Sequence, residues 1–282
     1  MEQAWSALCE LWRAQRVISV FTRLHPLLEN HRLIEPLCLP AGARSESNIP
    51  HLRLHGQTVS IDLRLLPEEG FRSYQKILRQ NINTGRKAGL VSHIDETWRC
   101  FVDFLSIYHR TMARNQADEG YFFPAAYFEN LREALDSHVH LMVTSLGGST
   151  AAAVVVLESE EIVQAYLGGG ADEFRNLGSF KVLLDDLRLW SIARGKRFLH
   201  LGGGRGGTAD TLFAFKSHFS HRRHDFLTAS FAVEPEVCEE MANERRRYAS
   251  TQGLEPVSDK FFPIYRVPLV NRGRAVAAGP AY

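Results

Sequence analysis

The sequence predicts an α/β protein whose sheet is mixed and largely antiparallel, and three observations carry that expectation. First, Leu141 to Leu146, Ala151 to Leu157 and Ile162 to Leu167 are strand-like runs separated by Gly147-Gly148-Ser149 and Glu158-Ser159-Glu160-Glu161, connections short enough to make neighbours antiparallel. Second, the stretch from about Gly178 to Arg194 presents Phe180, Leu183, Leu184, Leu187 and Trp190 at helical spacing, with Gly195 where a terminating glycine belongs. Third, the apolar run Phe198 to Leu201 feeds Gly202, Gly203, Gly204, Gly206 and Gly207, after which Leu212, Phe215 and Phe219 mark another helix. A buried strand thus opens onto a backbone that another group can approach closely.

The remaining elements follow in order. Trp5, Leu8, Cys9, Leu11 and Trp12 interleave with Glu2, Glu10 and Arg13 in an amphipathic first helix, not a signal segment. Val17 to Phe21 reads as a strand, and a polar, Pro-rich connection follows to about Pro50. Strands resume at His51 to Leu54 and at Val59 to Leu65, where apolar and polar residues alternate. Pro67 opens a helix with Glu68 and Glu69 in its first turn, expected to run to about Ala88. Trp98, Phe101, Leu105, Tyr108 and Met112 mark another, ending at Arg114, and Tyr121, Phe122, Phe123, Tyr127 and Phe128 supply aromatics to close a core. Beyond the glycine-rich stretch lie a strand at Phe226 to Phe231, a helix from Pro235 to about Tyr248, a strand at Phe261 to Val270 and an Arg/Gly/Ala-rich tail expected to fray.

Composition narrows the function classes. The 282 residues can bury a substantial core, and 45% hydrophobic with 23% charged residues is ordinary for a globular chain. With 33 Lys plus Arg against 32 Asp plus Glu, the net charge of +1 supplies no global basic field, so contact with nucleic acid or anionic membrane must be local. Cys9, Cys38, Cys100 and Cys238 are scattered, which fits a reducing cytoplasm and neither a zinc ribbon nor a disulfide scaffold. No apolar run approaches the roughly 20 residues that span a bilayer.

Local chemistry gathers at a few places. The helix from Pro67 ends in a basic face with Lys76, Arg79, Arg86 and Lys87; these cations either complement the helix C-terminus or, through the planar forks of Arg79 and Arg86, grip phosphate. His218, His221 and His224 recur at three-residue intervals among Arg222 and Arg223, a pattern that suits a basic, phosphate-facing surface better than a metal site because no carboxylate but Asp225 joins them. Arg245-Arg246-Arg247 follows Glu239, Glu240 and Glu244 and reads first as a salt-bridged helix face.

The order from Val139 to Phe231, three antiparallel strands, helix, strand, helix, strand, resembles the acyltransferase core of the GNAT superfamily, in which two strands splay to admit a thioester or ester. Val20 to Leu28, the Arg79-Gln80-Asn81-Ile82-Asn83-Thr84-Gly85-Arg86-Lys87-Ala88-Gly89 helix end, Tyr108 to Ala117, the Leu212-Phe213-Ala214-Phe215-Lys216-Ser217-His218-Phe219-Ser220 run and Phe261 to Arg266 further resemble the landmarks of FemABX-type aminoacyltransferases. The resemblance covers about residues 17 to 266. It implies tandem GNAT-like lobes: a partial first lobe over 1–128, a second lobe with the catalytic cleft over 129–250, and a returning strand and tail over 251–282. Members of that family usually carry several dozen residues ahead of the segment matching Trp5 to Pro26, so either the first lobe is shortened at its N-terminus, the recorded start lies downstream of the real one, or another substrate replaces the usual precursor.

The activity implied is transfer of an amino acid from aminoacyl-tRNA to an amine of a peptide, a peptidoglycan precursor or a peptide antibiotic intermediate, with no cofactor beyond the aminoacyl-tRNA co-substrate. The Phe215-Lys216 pair then lies where the aminoacyl ester is held, and Lys216 stabilises the developing oxyanion, a step that requires no protein nucleophile. Asp210 and Tyr166 are candidates to orient the substrate amine or ribose hydroxyls, or else a helix cap and a core tyrosine. Substrate-binding candidates are Arg79, Arg86, Arg114, Tyr121, Arg175 and the backbone at Gly203 and Gly204. Arg175 and Gly178 are the sole matches to the pyrophosphate loop of coenzyme-A-dependent relatives, and Asp172 and Glu173 would repel a pyrophosphate there. An acyl-CoA-dependent N-acyltransferase and a non-catalytic binding or assembly partner are the alternative readings.

Overall fold

The computed structural model describes residues 2–38, 49–117, 119–258 and 261–271. Its elements run α1 (Glu2–Ala14), β1 (Ser19–Arg23), β2 (His51–Asp62), α2 (Pro67–Arg72), α3 (Lys76–Lys87), β3 (Val91–Ile94), α4 (Phe101–Arg114) and α5 (Ala125–Leu135). There follow β4 (Val139–Leu146), β5 (Ser149–Glu158), β6 (Ile162–Gly170), α6 (Ser179–Ala193), β7 (Phe198–Gly203), α7 (Thr211–Ser217), β8 (Arg223–Ala232), α8 (Pro235–Thr251), β9 (Leu254–Pro256) and β10 (Leu269–Asn271).

Within the described residues the chain divides into two compact units, one from Met1–Gln57, Arg205–Thr208 and His224–Tyr282, the other from Thr58–Gly204 and Ala209–Arg223. Residues 128 and 129 lie together in the second unit, and residues 250 and 251 in the first. In the first unit β1 pairs antiparallel with β8, and Trp5, Trp12, Val17 and Val20 pack around buried Cys9, Phe231 and Val233. The amphipathic α1 thus buries the face that its sequence marks as apolar.

The second unit holds the α/β sheet. The end of β2 pairs antiparallel with β7, β7 pairs parallel with β6, and β6, β5, β4 and β3 continue as an antiparallel meander. Alternation along β5 sends Val154 and Val156 to a cluster with α3 and α6, and Ala153 and Val155 to a cluster with α4 and α5. The sheet is therefore covered on both faces, which explains why β5 reads as a nearly continuous apolar run.

The structure departs from the sequence reading at several elements. The helix expected over Pro67 to Ala88 is two helices: Gln75 adopts an extended backbone (φ −59°, ψ 143°) and its N–H donates to the carbonyl of His218 at 3.0 Å instead of continuing the helical ladder. The strands expected at His51 and Val59 are one strand, β2, passing through Gly56 at φ 153°, where a Cβ would collide with the backbone of Gly207. The strand expected over Phe261 to Val270 shrinks to β10 at Leu269–Asn271, preceded by a 3-10 turn at Ile264–Arg266, because Pro263 and Pro268 cannot donate to a ladder. The short β3 and the helix α5 were not anticipated. The tail from residue 272 and the connection over 39–48 lie outside the described residues.

Gly168, Gly169 and Gly170 end β6 for a packing reason. A Cβ on Gly169 would enter the side chain of Thr111, which α4 presses against the strand. Gly169→Ala is expected to destabilise the protein by about 1–3 kcal/mol through this overlap. Urea denaturation measures the loss, and the Gly169→Ala/Thr111→Ala double variant should recover part of it.

Candidate active site at the splayed strands

The site begins with how two parallel strands part. β6 and β7 pair at Ile162 with Phe198, Val163 with Leu199 and Gln164 with His200, and not beyond, although β6 continues to Gly170 and β7 to Gly203. Each strand keeps its outer partner: Leu167 to Gly170 stay with β5, while Gly202 and Gly203 pair with Val59 and Thr58. The opening coincides with a bulge, for Val155 opposes Leu167 and Val156 opposes Ala165, leaving Tyr166 as the extra residue. A bulge of this kind bends its strand and re-aims side chains, as bulges beside active sites do. The result is a wedge between two backbone edges, able to take an extended chain by main-chain hydrogen bonding.

Helix α7 lies at the end of β7 and aims one cation at it. Asp210 caps α7 by accepting from the Phe213 N–H at 2.9 Å, the role read from sequence as its alternative to substrate contact. Phe219, fully buried, anchors the end of the helix against Tyr74 with ring centroids 5.2 Å apart. Lys216 then reaches back, its Nζ donating to the carbonyl of Gly203 at 2.6 Å. Gly202, at φ 76°, leaves room for it: a Cβ there would lie 3.2 Å from the Lys216 Nζ. Burial pulls the Lys216 ammonium down to about 8, against the opposing pull of Asp210. Phe215 lies parallel to Phe180 of α6 at 6.3 Å and 22°, and edge-on to Phe219 at 5.6 Å.

Lys216, Phe215, Asp210 and Gly203 are thus brought together, with Gly204 just past the end of β7. Tyr166 lies apart from the Phe215 ring. Its hydroxyl meets that of Tyr127 at 2.6 Å, in the cluster on the α4–α5 face, whereas Phe215 packs on the α3–α6 face.

The arginines are less available than the sequence suggested. Arg86 donates to Asp185 at 2.8 Å and also to Asp186, and Arg79 donates to the carbonyl of Arg72 at 3.2 Å. Arg86 is thus held by two carboxylates, whereas Arg79 is held by a single backbone carbonyl. Arg114 pairs with Asp172, and Arg110 with Glu173 at 3.1 Å, so the two acidic residues expected to repel an anion are neutralised by α4. The backbone carbonyl of Tyr121 accepts from the Tyr108 hydroxyl, and Arg175 stands exposed just ahead of α6. Helix α6 starts at Gly178 in the left-handed region (φ 69°) without a side-chain cap.

Sequence reasoning missed a buried charged network that joins α6 to α2 and α3. Asp185, fully buried, accepts from Tyr74 at 2.9 Å, Arg188 at 2.8 Å and Arg86, and Arg188, 2% exposed, also donates to the carbonyl of Pro67 at 3.1 Å. The signal was present as Asp185, Asp186 and Arg188 amid the run of leucines in α6. Among the described residues no group of three or more His, Cys, Asp or Glu is arranged to hold a metal ion, and no helix is long and apolar enough to cross a membrane.

The splayed strands and the helices on both faces define an acyltransferase of GNAT type. Residues 72–217, just over half of the chain, match the acetyltransferase (GNAT) domain family, and the chain belongs to that family. Among solved structures, FemX is similar at 11% identity and a TM-score of 0.63, covering 85% of this chain and 78% of its own. A conserved protein of unknown function from Bacteroides thetaiotaomicron is similar at 10% identity and a TM-score of 0.58, covering 81% and 75%. The C-terminal domain of a putative lysylphosphatidylglycerol synthetase from Agrobacterium fabrum is similar at 17% identity and a TM-score of 0.53, covering 80% and 71%. At such identities these likenesses concern the fold. No curated protein matches the sequence.

Proposed function

We propose that this protein transfers an amino acid from aminoacyl-tRNA to an amine of a peptide acceptor, a cell-wall precursor or a peptide antibiotic intermediate, forming a peptide bond. The observation that carries this reading is Lys216, a half-buried cation held at the mouth of the β6–β7 wedge beside Phe215. An ammonium has three donors, and the Gly203 carbonyl occupies one of them. Two remain for a substrate oxygen.

In the proposed reaction the acceptor amine attacks the ester carbonyl, giving a tetrahedral intermediate whose oxyanion is met by the Lys216 ammonium. Collapse of the intermediate breaks the ester C–O bond and forms the amide; the proton lost by the amine goes to the departing ribose hydroxyl. Phe215 packs the ester or the terminal adenosine, and Asp210 caps the helix that carries Phe215 and Lys216. The ester is already activated, so the reading needs no nucleophile and no cofactor besides the co-substrate. FemABX-like landmarks in the sequence, and the fold shared with FemX and a lysylphosphatidylglycerol synthetase domain, support an aminoacyl donor over an acetyl one.

The uncapped α6 N-terminus, an anion-friendly group of backbone N–H donors, supports acyl-CoA as the second reading. Incubation of the pure protein with charged tRNA mixtures and, separately, with acyl-CoAs, each with peptide amines, distinguishes them. Amine-dependent loss of the tRNA ester, abolished by RNase, is the expected result. Turnover of acyl-CoA but not of charged tRNA favours the second reading, and turnover of neither favours a binding partner.

A further inference from the structure

A polyanionic donor needs cations on the surface that receives it. Beyond Arg79, Arg86 and Arg114, a denser set of arginines lies elsewhere in the second unit. The guanidinium carbons of Arg64, Arg197 and Arg222 stand 5.6, 5.6 and 5.4 Å from the centroid of the Phe198 ring, and their side chains are 53%, 46% and 44% exposed. They come from three segments: Arg64 just after β2, Arg197 just ahead of β7, and Arg222 between α7 and β8. The Leu63 N–H donates to the Arg197 carbonyl at 2.9 Å and fixes the first two together.

Two carboxylates hold these three cations. Asp62 accepts from Arg64 at 2.9 and 2.6 Å and from Arg222 at 3.0 Å, and Glu161 accepts from Arg197 at 2.7 Å. Arg223, next in sequence, turns instead to the Phe213 ring at 5.3 Å and donates to the carbonyls of Ser220 and Arg222. Three guanidinium groups thus face two carboxylates, and positive charge is in surplus.

We infer that this arginine cluster is a docking surface for RNA phosphates, those of the aminoacyl-tRNA donor, and the inference rests on the function proposed above. Guanidinium forks match phosphate oxygens, and their planes accept stacked bases. The cluster sits at the start of β7, and the six residues of that strand lead about 17 Å to Gly203 and Lys216. The body of an RNA held there lies one strand length from its reacting 3′ end.

Fluorescence anisotropy of labelled tRNA with the full chain, between about 50 and 200 mM salt, tests this surface. Arg197→Ala and Arg222→Ala should each weaken binding about three- to ten-fold and lower the salt slope by about 0.7–0.9. Asp62→Asn, which removes a neutralising carboxylate, should tighten binding about two- to three-fold, a sign that misfolding does not produce. A wild-type protein that binds no tRNA overturns the proposed function and this surface together. A wild type that binds while both arginine variants keep its Kd and slope, or weaker binding by Asp62→Asn, overturns the surface alone. Loss of binding to phosphatidylglycerol vesicles in the arginine variants, with tRNA binding intact, reassigns the cluster to lipid and overturns it as well.

Discussion

Lys216→Met is expected to lower kcat for aminoacyl transfer by at least about ten- to hundred-fold while leaving the affinity for tRNA unchanged. A positioned donor at a developing oxyanion contributes more to the transition state than to the ground state, so its loss falls on kcat and not on binding. The same variant should be no less stable than the wild type at neutral pH. Burial lowers the Lys216 pKa from 10.5 to about 8, so the folded protein bears the cost of a buried charge below about pH 8. Between that value and the ordinary lysine range the folded state binds fewer protons than the unfolded state, and stability rises with pH. Activity takes the opposite course: the Lys216-dependent part of the rate, taken as wild type minus Lys216→Met, should fall as pH rises through about 8. Thermal melts and a pH–rate profile of both proteins check the pair of signs. A variant equally active, or clearly less stable at pH 7, would make Lys216 a structural lysine.

Asp185→Ala is expected to cost about 3–5 kcal/mol, a large part of the stability of an ordinary domain. Asp185 has no exposure and Arg188 2%, and the carboxylate is shared by Arg188, Tyr74 and Arg86. Removing it leaves the Arg188 guanidinium buried with its Pro67 carbonyl and no carboxylate from this residue. It also leaves the Tyr74 hydroxyl without its acceptor, so the loss exceeds that of a surface ion pair. Replacing the pair together, as Asp185→Leu/Arg188→Met, should recover much of the loss because no uncompensated charge remains. Urea midpoints and slopes for the single and double variants measure both values. A loss below about 1 kcal/mol for Asp185→Ala would show that the network contributes little to folding.

The parts of the fold that were legible in the sequence are those where one period dominates. The meander β4–β5–β6, helix α6 with its terminating Gly195, and the strand-glycine-helix run of β7 and α7 each carry a local signal that tertiary structure does not override. The break between α2 and α3 was invisible because Ile77, Leu78 and Ile82 continue the helical spacing across it. What sets α3 apart from α2 is Gln75, extended and bonded to His218, more than a hundred residues away in sequence. The proline-bearing Phe261 to Val270 stretch looked like a strand by apolar content, yet its prolines remove ladder donors.

The site shows the same division. Lys216 and Phe215 were read from a short motif, and α7 brings the Lys216 ammonium to the Gly203 carbonyl and Phe215 to Phe180. The three arginine candidates on helices were read by residue type, and type does not reveal partners: Asp185 and Asp186 lie about a hundred positions from Arg86. Asp210 proves to be a helix cap, and Tyr166 gains its setting from a bulge between β5 and β6 that no single-strand pattern announces. The cluster around Phe198 draws on residues 64, 197 and 222, a separation that no linear motif can carry.

The most direct test of the account is a single-turnover assay with tRNA carrying a radiolabelled amino acid, the full chain in excess and a pool of peptide amines. The label is predicted to move from RNA to peptide as an amide, at a rate at least about ten-fold faster with the wild type than with Lys216→Met. Label that leaves the RNA no faster than without protein, under conditions where the protein binds the tRNA, would contradict it.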